Sequence, residues 1–357
     1  MIPSLPTELL RSILEKVEGE QDLANCCSSS KSFLHIARPL LYSTIRFYVC
    51  NWRDIAGMGP GQSLSKQLNA STIKLIDGLV KSAELRGFVK SLRFEASSDS
   101  WSSRRDGGMD DNETLLQVMA QMVALKEILV ADPWRIDKVD ELLSEYQAPR
   151  HSSESGSSRV TLRFASTRRT QDGRGIASYK ASYTTLRFNT DAAWSVNQAS
   201  TLLKSSKDTL EALTIPFDET ALLSDYHQLK YLDLLFAAPG FEEELPSGRE
   251  LYASLPRLPA LETLILSDFG QDTFPERFPT DPLAHSLPPT LHSLSLQGRF
   301  LPTNLPNFVK ALPSVSTLCR LNIRMDEEEL LSKGELEVEC EKRGIRLTLN
   351  EIWENKI

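Results

Sequence analysis

Beyond residue 85 the apolar positions fall into one recurring pattern, apolar-x-x-apolar-x-apolar. It reads Val89, Leu92, Phe94; Leu125, Ile128, Val130; and Tyr183, Leu186, Phe188. It continues as Leu210, Leu213, Ile215; Leu229, Leu232, Leu234; Leu261, Leu264, Leu266; Leu291, Leu294, Leu296; and Leu318, Leu321, Ile323. "RVTLRF" adds Leu162 and Phe164 with Arg159 in the first place, and "GIRLTL" adds Leu347 and Leu349. The last two positions of each triplet alternate, so they put one face of a short strand into a core. Stretches between triplets, such as "ETLLQVMAQMVA" from Glu113 and "VDELLSEY" from Val139, carry helical spacing. From Leu92 to Leu347 the mean period is roughly 28 residues, in the range of leucine-rich repeats, with intervals of 19 to 36 residues. The expected fold is α/β: a curved leucine-rich-repeat-like solenoid with parallel strands, each unit burying a face that it could not bury alone. The asparagine that usually follows the strand in such repeats is mostly absent, so the repeats are irregular. An ordinary α/β domain is the alternative.

The N-terminal stretch differs. Pro6 suits the first turn of a helix and Glu8 its positive end. Leu9, Leu10, Ile13, Leu14 and Val17 then follow at helical spacing. Asp22 is a candidate cap for a second helix carrying Leu23, Cys26 and Cys27. Ser29 or Ser30 can cap a third, carrying Phe33, Ile36 and Ala37, which Pro39 is expected to end. "LLYSTIRF" reads as an extended exit. Three short helices lie near the lower size limit for a self-sufficient core. The first is apolar over most of its circumference, so part of it needs a second surface, either the next domain or another protein.

Residues 5–47 resemble an F-box, the motif that docks on the Skp adaptor of SCF (Skp–cullin–F-box) ubiquitin ligases. The matching positions are "LP" at Leu5 and Pro6, Glu8, Ile13–Leu14, Val17, Asp22–Leu23, "SKSF" from Ser30 and "ARPLLY" from Ala37. Phe33 stands where the family often has tryptophan. Ser29 replaces a usual valine, and the loop between Val17 and Asp22 is one residue longer. The resemblance implies adaptor binding through Leu5, Pro6, Leu9, Ile13, Leu14, Leu23 and Phe33. The domains read as 1–47, an F-box; 48–84, a helical connection; and 85–357, the repeats with a C-terminal cap. In the cap, Asp326 and Glu329 form a capping-box-like pair, the helix runs to Arg343, and Gly344 is its left-handed stop.

Composition narrows the function classes. The net charge is −8 with no dense basic cluster, which argues against nucleic acid. No apolar run is long enough to span a membrane, and the N-terminus lacks a signal-peptide pattern, so no membrane role is expected. Five cysteines without metal-like spacing point to the cytoplasm or nucleus. No phosphate loop, dinucleotide fingerprint, G-x-S-x-G or H-E-x-x-H occurs, and the histidines are scattered. No catalytic residue, metal or cofactor is expected, and a hydrolase on an α/β fold has no motif behind it. The polar segments from Ser97, Arg150 and Ser166 read as loops.

An adaptor-binding module followed by repeats makes a substrate receptor of a ubiquitin ligase complex, joined through the Skp adaptor to a cullin. A scaffold bound to the adaptor without a degradation role is the competing reading. The residue between the last two apolar positions of each triplet should face outward. These residues are Arg93, Leu129, Arg163, Arg187, Thr214, Asp233, Ile265, Ser295 and Asn322. Arg93, Arg163 and Arg187 are therefore the target-binding candidates, suited to an acidic or phosphorylated protein. The target itself is unknown.

Overall fold

The computed structural model describes residues 6–17, 19–50, 64, 68–96, 112–131, 136–147, 160–166, 180–188, 196–216, 223, 225–236, 252–268, 281–298, 301–302, 304–313, 317–325 and 333–351. The loops read from Ser97, Arg150 and Ser166 fall mostly outside these residues, as do Leu5, Arg159, Asp326 and Glu329. The chain divides into two compact units, Met1–Ala165 with Tyr179–Ala181, and Ser166–Ser178 with Ser182–Ile357.

The first unit opens with three helices, α1 (Thr7–Leu14), α2 (Glu20–Ser29) and α3 (Lys31–Leu41). Their core is Leu14, Leu23, Ile36 and Ala37, with Leu10, Val17, Cys26, Cys27, Phe33, Leu40 and Leu41 packed against it. Pro6 caps α1 rather than entering it. Its carbonyl accepts the Leu10 N–H at 3.0 Å. Gly19, not Asp22, precedes α2. Of the two serines before α3, Ser30 is the cap, its Oγ accepting the Phe33 N–H at 3.2 Å. Pro39 does not end α3, which runs two residues further. Ending the helix there would take Leu40 and Leu41 off the core. A proline so close to the C-terminus removes only one backbone bond.

The extended exit proves to be a strand. β1 (Thr44–Val49) pairs in parallel with β2 (Ser91–Ala96), so the sheet begins inside the stretch that resembles an F-box. β2 pairs with β3 (Glu127–Ala131), and β3 with β4 (Thr161–Ser166). Between the strands come α4 (Ala70–Lys81), α5 (Ala83–Phe88), α6 (Glu113–Ala120) and α7 (Ile136–Gln147). One inward row runs Phe47, Phe94, Val130, Phe164, each at most 1 % exposed. Phe47 and Phe94 meet edge to face with centroids 5.6 Å apart.

The second unit repeats the plan through β5 (Thr185–Phe188), β6 (Ala212–Pro216), β7 (Tyr231–Phe236), β8 (Thr263–Asp268), β9 (Ser293–Gln297), β10 (Arg320–Met325) and β11 (Arg346–Glu351). Each strand pairs in parallel with the next. Helices α8 (Val196–Ser205), α9 (Asp281–Ser286), α10 (Leu305–Ala311) and α11 (Lys333–Lys342) fall among the connections. Leu186, Leu213, Leu232, Leu264, Leu294, Leu321 and Leu347 form one inward row. All members of the eight complete triplets are buried, at 4 % exposure or less. Sequential parallel strands, each followed by a return segment, are the leucine-rich-repeat-like arrangement that the triplets predict.

Backbone bonds lock one unit to the next. The carbonyl just before a strand accepts two N–H groups from the following unit: Lys230 O from Glu262 and Thr263, and Glu262 O from His292 and Ser293. A threonine just before each of three triplets adds a side-chain bond. Thr209, Thr290 and Thr317 donate through Oγ1 to the carbonyls of Tyr183, Leu261 and Leu291, each at 2.9 Å. These bonds satisfy carbonyls that the strand ladder leaves open. At the C-terminal end α11 stops in a Schellman turn, with Ile345 N–H to Cys340 O at 2.9 Å and Gly344 N–H to Glu341 O at 3.0 Å. Gly344 takes φ +66°, as its left-handed role requires. Arg343 donates to Lys310 O and Leu312 O at 2.6 and 2.7 Å, capping the end of α10.

Thr290→Val keeps the shape and removes the hydroxyl. It is expected to lower stability by about 1 kcal/mol, read as a lower urea midpoint at unchanged slope.

Candidate functional site

Two surfaces carry the residues that the sequence singled out. The first is the outer side of α1. Leu14 and Leu23 are 3 % and 8 % exposed and belong to the core of the helical module. Phe33 is half-buried against that core. Leu9 and Ile13 are 53 % and 52 % exposed, one turn apart on the face opposite the core, with exposed Pro6 below them. The seven candidates thus separate. Pro6, Leu9 and Ile13 are free to touch another molecule, Leu14 and Leu23 hold the module together, Phe33 lies between, and Leu5 is outside the described residues. Helical spacing alone could not divide them, because the first helix is apolar on both sides.

The second surface is the outward face of the strands. Within the first unit, Arg93 stands beside Leu129, and Leu129 beside Arg163. The register adds a residue that the sequence reading missed: Arg46 on β1 stands beside Arg93. The signal was present, since "TIRF", "SLRF" and two copies of "TLRF" are the same strand with arginine at the outward place. Reading Leu40–Phe47 as an exit hid the first copy. Arg46 Nε lies 3.2 Å from Glu20 on α2, and its Nη1 lies 3.6 Å from Glu95 on β2. Burial pulls the Arg46 pKa down, while Glu95, Glu20 and Tyr48 together lift it above its ordinary value. Arg163 Nη1 lies 3.5 Å from Glu127. Arg93 Nε is buried without a hydrogen-bond partner among the described residues. The row therefore carries its own counter-charges at both ends.

Arg187 belongs to the second unit. There the outward row reads Arg187, Thr214, Asp233, Ile265, Ser295, Asn322 and Thr348. Every outward position named from the sequence thus lies in the row of its own unit. The Asp233 carboxyl has a buried oxygen without a hydrogen-bond partner among the described residues. Burial raises its pKa to about 6, against a smaller downward pull from Arg187.

No protein-family model and no curated protein matches the chain. Among solved structures, the leucine-rich repeat-containing protein LegL7 from Legionella pneumophila is similar over 86 % of this chain and 91 % of its own, at 13 % identity and a TM-score of 0.42. At that level the strand register alone carries the fold. Among the described residues no helix is long and apolar enough to cross a membrane.

A carboxyl whose pKa is higher folded than unfolded binds more protons in the folded state, so its ionisation costs stability as pH rises from about 4 to about 6. Asp233→Asn removes that ionisation. Its melting temperature should exceed the parent's at pH 7.5, and the gap should shrink as pH falls through about 6 and close only below about pH 4.

Proposed function

We propose that the chain is the substrate-recognition subunit of an SCF-type ubiquitin ligase. The three-helix module docks on the Skp adaptor, and through it on a cullin, while the strand faces hold a target protein. The subunit contributes proximity rather than chemistry, raising the local concentration of target lysines near the conjugating enzyme. The observation that carries this reading is the pair Leu9 and Ile13, exposed on the side of α1 that its own core does not use. It agrees with the F-box resemblance of residues 5–47. A large apolar pair left in water beside a complete small core is a docking face in waiting. Arg93, Arg163 and Arg187 are the proposed contacts for an acidic or phosphorylated target. In the first unit Glu127 already engages Arg163, so Arg93 is the guanidinium there with most to gain from a ligand.

The test is adaptor capture by purified protein. A charge placed at Leu9 or Ile13 sits in water when the protein is free and is buried without a partner when bound. Leu9→Asp and Ile13→Asp should each weaken capture by about a hundredfold or more while leaving the melting temperature unchanged. Leu14→Asp buries the charge in the free protein, so it should also melt the module, seen as lost helical circular dichroism. Unchanged capture by the Ile13 variant would sink the docking reading. Capture of the adaptor without a cullin would favour the scaffold.

A further inference from the structure

The last three strands carry an arrangement on their outward face that the sequence reading did not reach. The register sets Arg320 on β10 directly beside Arg346 on β11, with Ser293 of β9 on the other flank of Arg320. Arg324 lies further along the same face of β10, beyond Asn322. All three arginines are exposed, and no described side chain forms an ion pair or hydrogen bond with their guanidinium groups. Their outward neighbours are Ser295, Gln297, Asn322 and Thr348, all neutral and all able to hydrogen-bond. Acids do occur on α11, but they lie on the helix side of the unit, where Glu339 pairs with Lys342 at 2.7 Å.

Neighbouring strands run ~4.8 Å apart, and like charges placed opposite each other weaken a sheet. The arginine row of β1–β4 relieves that strain with Glu20, Glu95 and Glu127. The pair on β10 and β11 has no such relief among the described residues. Two adjacent guanidinium forks offer parallel N–H donors to one tetrahedral dianion. A carboxylate, carrying one charge, would occupy one fork and leave the other unpaired.

We propose that this face binds a phosphorylated side chain in an extended segment of the recognised protein, with the phosphate held between Arg320 and Arg346. Asn322 and Thr348, in the next row, are placed to bond the segment's backbone. Arg324 meets a second negative group further along. The inference rests on the reading of the strand face as the target surface, and it needs nothing from α1.

The experiment titrates the full chain with three fluorescent pools of degenerate nonapeptides, centred on phosphoserine, glutamate or serine. The phosphoserine pool should bind at least about tenfold more tightly than either other pool. Arg320→Gln with Arg346→Gln should erase that preference, while removing two exposed charges at the end of α8 and just after it, Lys204→Gln with Lys207→Gln, should keep it. The double variant at the paired arginines should melt at the same or a higher temperature, since it removes a like-charge contact, and this separates lost binding from lost folding. Equal binding of the three pools would overturn the proposal. So would a preference that survives Arg320→Gln with Arg346→Gln, or a glutamate pool that binds as well as phosphoserine. Adaptor capture, read in parallel, shows whether failure belongs to this face alone or also to the receptor reading.

Discussion

The structure depends on strand register. No single strand–helix unit here can bury its own apolar face, so stability comes from neighbours aligned side by side. Within each unit every inward position meets its counterpart on the next strand, from Phe47 beside Phe94 to Leu321 beside Leu347. A slip by one residue would turn each buried leucine to water and each arginine into the core. The penalty is large enough to fix the register throughout. The outward rows are then not free. The alignment that stacks the leucines also forces Arg46 against Arg93 and Arg320 against Arg346. The charge pattern of the outward face follows from what the core demands.

Most of this was legible because the inward triplets are strict. The eight complete triplets mark eight strands, and all their members are buried. The first strand was missed because Tyr42, Ile45 and Phe47 fit the triplet pattern and the end of the F-box resemblance equally well. The local sequence holds nothing to say that one segment serves both. Pro39 misled for a different reason. The rule that proline ends a helix concerns a lost backbone bond, and tertiary burial of Leu40 and Leu41 outweighs one bond in a last turn. At α1 the sequence showed excess apolar surface but could not say which residues were surplus. That division rests on the packing of α2 and α3, which buries Leu14 and leaves Ile13 out.

Charge was the least legible property. Arginines at outward places on β2, β4 and β5 read from the sequence as one basic patch. In the first unit carboxylates brought from elsewhere compensate part of that row: Glu20 from α2 and Glu95 from β2 engage Arg46, and Glu127 from β3 engages Arg163. Surface pairs of this kind contribute little to stability. They do decide what the face can attract, since a compensated arginine has less to gain from an incoming anion. Arg320 and Arg346 went unread because only the residue between the last two apolar positions, Asn322 on β10, was taken as outward, and the last unit shows only two of its three apolar positions. Its register, and hence the pairing of Arg320 with Arg346, emerges only from the ladder.

The join between the helical module and the first sheet bears on how the two surfaces would work together. Only Tyr42 and Ser43 separate α3 from β1. Neither is slack: Tyr42 N–H bonds Arg38 O at 3.1 Å, and Ser43 Oγ bonds Leu40 O at 2.7 Å. Ser43 O in turn accepts Lys90 N–H at 2.8 Å and Ser91 N–H at 3.0 Å. The chain passes from helix to sheet through bonded residues, and Arg38 with Glu84, at 3.3 Å, ties α3 to α5 alongside. A flexible linker would dilute a bound target over a volume set by its length. On the proposed receptor reading, this join would hold an adaptor docked on Leu9 and Ile13 at a fixed distance and angle from the face of β1–β4. Proximity would then become orientation, and some target lysines would be favoured over others by where the first sheet places them.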